Sequence, residues 1–184
     1  MVFEPYLVEY CSPTLASLKT ANLFSIGIKD MDELYRNIEA GNKKLNPKGV
    51  YLELLKVKNG RGLIYVYRKK SLETDLEKEE VRTILSLLGY KDINLKNALD
   101  HLKQRLFLSD DFPHEIGLFL GYPPKDVLGF ILNGGMNEIC TGCWKVYCDE
   151  CESRRCFDRF NKCKNVYMRL FSEGRPITNL TVNN

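Results

Sequence analysis

The stretch VYLELLKVKNGRGLIYVYR, residues 50–68, constrains the fold of this chain more than any other. Two runs rich in β-branched and aromatic residues flank Asn59 and Gly60, a pair that tolerates positive φ at both central positions of a two-residue hairpin turn. A hairpin with one apolar face cannot stand alone in water, so the rest of the chain must cover it. The cover is legible as helices. Asp30, with Glu33 three residues on, has the form of a capping box, and Met31, Leu34, Tyr35, Ile38 and Leu45 share one helical face up to the NPKG stop. LFSIGI (23–28) precedes it as a strand. Val81, Ile84, Leu85 and Leu88 mark a helix over 76–88 ended by Gly89, a second runs from Asn94 to Leu106, and HEIGLFLG and PKDVLGFIL suggest two short ones. WKVYC (144–148) reads as the last strand, and Asp149 as the cap of a long final helix. At the other end SPTLASLKTANLF predicts a short helix with Ser12 as N-cap and Pro13 at its first position, placing Cys11 just ahead of it.

In order, these elements give β-α-β-β-α, a helical insertion over about 94–135, then β-α. The expected fold class is α+β: a ferredoxin-like split βαβ, with an antiparallel sheet of about four strands covered by helices. No repeat or linker divides residues 1–184, so a single domain is expected, and 44% hydrophobic residues suffice for its core. No run approaches the roughly eighteen apolar residues of a membrane span. MVFEPYLVEYC has neither a basic leader nor an apolar signal core, so the cytoplasm is the expected compartment and the thiols are expected to stay reduced. The net charge of +3 is spread through interleaved runs such as RKKSLETDLEKEEVR, a solvated face that argues against a nucleic-acid partner.

The chemistry concentrates in ICTGCWKVYCDECESRRC (139–156), which holds five of the seven cysteines. Cys140, Cys143, Cys148 and Cys151 have the C-x2-C-x4-C-x2-C form of a zinc or iron–sulfur site. An extended WKVY would put Cys143 and Cys148 roughly 16 Å apart at about 3.3 Å per residue, so the strand and a four-thiolate site exclude each other unless the chain bends sharply. Beside a helix N-terminus, Cys148 or Cys151 would have a lowered thiol pKa and would suit metal or redox contact. Cys156 and Cys163 fall on the apolar stripe of the last helix and read as packing residues. A second candidate is a thiol enzyme using Cys11 as nucleophile with His114 and Glu115 of FPHEIG. A third is a helix-turn-helix regulator over 115–131, although its second helix offers one base and no Arg, Asn or Gln to read base edges. Neither of the common glycine-rich phosphate loops occurs.

The stretches YCSPTLASLKTANLF, NPKGVYLELL, GLIYVYRKK, FPHEIGLFLGYPPKDVLGFI, CWKVYCDE and NLTV together resemble, over essentially the whole chain, a family of small bacterial proteins found mainly in anaerobic clostridia and known as a domain of unknown function. The resemblance implies a stand-alone cytoplasmic protein. Relatives encoded near flavodoxin or iron-uptake genes would favour redox or iron handling. Relatives with Gly or Ser in place of Cys148 would confine any thiol site to this member, leaving CSPTLASLKT and FPHEIG as the shared surface. The function expected on these grounds is a thiol-based metal-binding or redox accessory protein of anaerobic metabolism, holding zinc or iron and meeting a redox or metal-handling protein partner.

Overall fold

A computed structural model describes residues 3–108 and 112–183. In chain order the elements are α1 (Glu4–Leu15), β1 (Ala21–Gly27), α2 (Met31–Leu45), a 3-10 turn (Asn46–Lys48), β2 (Val50–Lys58), β3 (Arg61–Arg68), α3 (Lys69–Glu77) and α4 (Glu79–Leu87). There follow α5 (Leu95–Leu108), α6 (Ile116–Phe119), α7 (Pro124–Leu132), β4 (Cys140–Thr141), β5 (Lys145–Val146), α8 (Glu150–Ser172) and α9 (Ile177–Leu180). Residues 1–70 and 160–184 form one compact unit, and residues 71–159 another. The chain is thus mixed helix and sheet.

The first unit is built on the hairpin. Asn59 and Gly60 take φ of 52° and 69°, and Lys58 pairs with Arg61 across the two-residue turn. β1 and β2 both pair antiparallel with β3, giving the order β1-β3-β2, so β1 and β2 run parallel with α2 crossing between them. Asp30 caps α2 by accepting the Asp32 N–H at 2.9 Å, and Leu34, Ile38 and Leu45 turn onto the sheet while Tyr35 stays exposed. The outer edge of β2 is partly satisfied by a side chain: the Asn42 amide donates to the Leu52 carbonyl at 2.9 Å and accepts the Leu52 N–H at 2.7 Å, as a further strand would. Leu7, Cys11 and Leu15 of α1 and Ile177 and Leu180 of α9 complete the core over Phe24, Ile64 and Val66.

The amino terminus departs from expectation. Pro5, not Pro13, sits in the first turn of the helix, which starts at Glu4 and carries Cys11 in its interior. Pro13 falls in the last turn, where it withholds one N–H from the helix, and the adjacent Ser12 hydroxyl donates to the Val8 carbonyl. Arg68 then closes the helix end. Its guanidinium, fully buried, donates to the carbonyls of Thr14 (2.6 Å), Leu15 (2.6 Å) and Val182 (2.9 Å), tying the end of α1 to the C-terminal segment. Placing a cation at a helix C-terminus also suits the helix dipole.

In the second unit, α4 ends at Gly89 (φ 91°) and α5 follows Asn94, both as expected, and Asn94 caps α5 by accepting the Asn97 N–H at 2.9 Å. Helix α3 was not expected: its sequence reads as a charged run, yet Leu72 and Leu76, one turn apart, are buried. The last strand is also different. Lys145 and Val146 pair with Thr141 and Cys140 in a separate two-stranded ribbon, so the main sheet has three strands rather than about four. Asp149 caps α8, accepting the Glu152 N–H at 3.0 Å.

Candidate functional site

Pro124 opens α7 at the position where its fixed φ suits a helix start, and this puts Asp126 in the first turn. The Asp126 carboxylate, only 1% exposed, is the anchor of the segment that follows the ribbon. Oδ2 accepts the Trp144 indole N–H at 2.8 Å, and Oδ1 accepts the N–H groups of Tyr147 (2.7 Å) and Cys148 (3.1 Å) and the Cys148 thiol (3.1 Å). One helical turn on, Gly129 lets the segment lie flat: a Cβ there would stand 2.6 Å from the Tyr147 side chain. Gly142 does the same for Phe157, where a Cβ would stand 2.2 Å from the ring. Helices α6 and α7 meet through Gly117, whose Cβ would be 2.8 Å from Val127, and turn at Gly121 with φ of 73°. The two short helices expected from HEIGLFLG and PKDVLGFIL are therefore present, as a hairpin close-packed through its glycines.

Between this hairpin and the ribbon lies a cleft of ≈ 470 Å³, within the range of small-molecule sites, its walls mainly Ile116, Val127, Phe130, Phe112 and Trp144. Trp144 stacks on Tyr122 (centroids 4.9 Å, 30°) and meets Phe157 edge-on (4.6 Å, 76°). His114 lines the cleft and packs edge-on against Phe130 at 4.9 Å. Lys145 donates from Nζ to the Gly135 carbonyl at 2.7 Å and pairs with Glu138 at 3.0 Å, and that hydrogen bond holds the Glu138 carboxyl below its ordinary range. Burial, with the Cys143 thiol adding to it, pushes the Tyr122 phenol up to about 12; its hydroxyl donates to the Cys143 carbonyl at 3.1 Å.

The residues singled out in the sequence fall in different places. Cys140 lies on β4 opposite Val146, Cys143 in the bend of the ribbon, Cys148 beside Asp126, and Cys151 in the first turn of α8. Cys143, Cys148 and Cys151 are exposed and Cys140 half-buried. Among the described residues no three His, Cys, Asp or Glu side chains gather in a way that could hold a metal ion. The Cys148 thiol is pushed up, not down, by partial burial and by its hydrogen bond to the Asp126 carboxylate, which outweigh the helix terminus. Cys156 and Cys163 are half-buried on α8, and burial pushes Cys163 up to about 11.

Cys11 is fully buried in the core of the first unit, and burial raises its thiol far above the ordinary value. His114 and Glu115 belong to the second unit. Glu115, 1% exposed, is held by Arg105 and by the Tyr90 hydroxyl at 3.1 Å, and burial together with Glu115 raises the Tyr90 phenol. His101 packs against Tyr90 at 4.2 Å. Asp126, Lys145 and the cleft itself were not picked out from the sequence. The paired prolines before Lys125 and Asp126 do mark a helix start, but nothing local says which segment an acid in that turn will hold.

Residues 7–181, nearly the whole chain, match the family described as "Protein of unknown function (DUF3793)", and the chain belongs to that family. No curated protein and no solved structure matches it. Among the described residues no helix is long and apolar enough to cross a membrane.

Proposed function

We propose that the chain is a small-molecule-binding protein and that the cleft of the second unit is its ligand site. The observation that carries this reading is open volume bounded by fixed walls: ≈ 470 Å³ beside an indole whose N–H is held by a buried carboxylate. Walls set in advance lower the ordering cost that a ligand must overcome. Trp144 is the single tryptophan, so its fluorescence reports on the cleft alone. A panel of small aromatic fragments is expected to change that fluorescence saturably, and the effect should vanish in Thr141→Phe, which plugs the mouth from an exposed position. Fragments that change nothing, or act equally on the plugged variant, would dismiss the reading.

A second reading is favoured by the exposure of Cys143, Cys148 and Cys151. It is a thiol-based accessory role in anaerobic metabolism, in which these residues with Cys140 hold zinc or iron or exchange with a redox or metal-handling protein. Elemental analysis of anaerobically purified protein tests it: stoichiometric metal that is lost in Cys143→Ser supports it, and metal far below stoichiometry together with thiols inert to oxidants removes it. Cys11 suits a nucleophile poorly, being closed to substrate and hard to ionise. Duplex reading is disfavoured because Asp126 and Gly129, on the second helix of the hairpin, are covered by Trp144 and Tyr147. We also read the three-stranded sheet as a ferredoxin-like split βαβ without its fourth strand, and residence as cytoplasmic.

A further inference from the structure

We propose that the ligand of this cleft is a monocarboxylate with an aromatic or alkyl body, received by Lys145 and His114; the inference rests on the cleft being a ligand site. It follows from which hydrogen-bonding groups in the walls are already used. Asp126 accepts three N–H groups and one S–H, three of them on Oδ1 and the indole N–H on Oδ2, so both of its oxygens are already engaged within the protein. Its demand is met inside the protein. The Trp144 N–H and the Tyr122 hydroxyl each have a partner, at 2.8 and 3.1 Å. The Thr141 hydroxyl turns to Glu138 at 3.4 Å.

Donors remain. A lysine ammonium has three N–H groups, and Lys145 uses two, on the Gly135 carbonyl and on Glu138. The His114 imidazole makes no hydrogen bond among the described residues and has only the Phe130 ring beside it. Both groups flank that same ring, since Gly135, whose carbonyl holds the ammonium, lies so close that a Cβ would stand 3.0 Å from Phe130 Cζ. The unmatched polarity is therefore spare N–H donor capacity around one aromatic ring, in a cleft otherwise apolar. An acceptor-rich anion on an apolar body complements it, through charge-assisted hydrogen bonds that are stronger than neutral ones. With Glu138 already on Lys145, a single N–H position remains on the ammonium, which suits one carboxylate rather than two.

Three probes of one shape test this: phenylpropionate, phenylpropanol and phenylpropylamine, titrated into the full chain with Trp144 fluorescence as readout. The acid is expected to bind about tenfold or more tighter than the alcohol, with the amine weakest. Lys145→Met should bring acid and alcohol close together, Lys145→Arg should restore the preference, and His114→Phe should reduce it independently if the lysine variant does not fold. Equal binding of acid and alcohol would overturn the carboxylate inference and leave the cleft as an apolar site. Tightest binding by the amine would overturn it in favour of a cationic ligand. No saturable change with any probe would remove the cleft reading as well.

Discussion

Arg68 in the first unit and Asp126 in the second are both buried charged side chains, at 0% and 1% exposure, and the fold uses them in opposite ways. Arg68 closes a gap, drawing the carbonyl end of α1 and the C-terminal segment together over the buried core. Asp126 holds a gap open: by gathering four donors from one short segment it fixes Trp144 as a wall and leaves the volume beside it empty. The aromatic rings follow the same division. Phe3 and Phe24 meet edge-on inside the first core, whereas Phe130 and Trp144 face the cleft. A buried charge can thus serve density or cavity, and the direction of its partners decides which.

Breaking the first pattern should have the largest effect. Arg68→Met strands two buried carbonyls and one part-buried one, each bonded to a charged donor, and is expected to cost on the order of 4 kcal/mol in urea denaturation while leaving the cleft's fragment binding intact in whatever remains folded. Breaking the second should cost less stability and all of the binding. Asp126→Ala leaves the Trp144 and Tyr147 N–H groups without their acceptor, for roughly 3 kcal/mol, and releases the indole, so fluorescence should shift to the red and titrations go flat.

Gly129→Ala sharpens the comparison through its sign. Within a helix this change ordinarily stabilises by about 1 kcal/mol. Here the new methyl meets the Tyr147 side chain at 2.6 Å, so a loss of about 1–3 kcal/mol is expected by thermal denaturation, and a gain would mean that the segment does not lie on α7.

The smallest effects concern the thiols. A thiol reagent should modify Cys143, Cys148 and Cys151 in the native protein and reach Cys11 only on unfolding. Because burial raises Cys163 from 9.0 to about 11, the folded state prefers its neutral form. That contribution to stability is complete below pH 9 and is lost as the pH climbs towards 11, so Cys163→Ala should flatten the decline over this window.

What the sequence disclosed was local. The Asn59-Gly60 turn and the caps at Asp30 and Asp149 are set by residues within four positions of one another, and all three are found. Helix α3 escaped because two leucines in a charged run carry too little period to separate a helix from a solvated loop. The final strand joins a ribbon rather than the main sheet, and its pairing of Lys145 with Thr141 turns at Gly142, which lies against the Phe157 ring fifteen residues on, out of reach of a local reading. In the site, FPHEIG and WKVY were each noticed, but their meeting was not. An aromatic residue that lines a cavity has the same spacing as one that fills a core, and Asp126 reaches its partners across eighteen or more residues.

The most direct measurement is the Trp144 indole N–H resonance, which is unique in the spectrum of this chain. Held by Asp126, it should exchange slowly with solvent and move when phenylpropionate is added, together with the Phe130 ring protons. A rapidly exchanging indole proton that no probe displaces would contradict the account, because the cleft would then have no fixed wall.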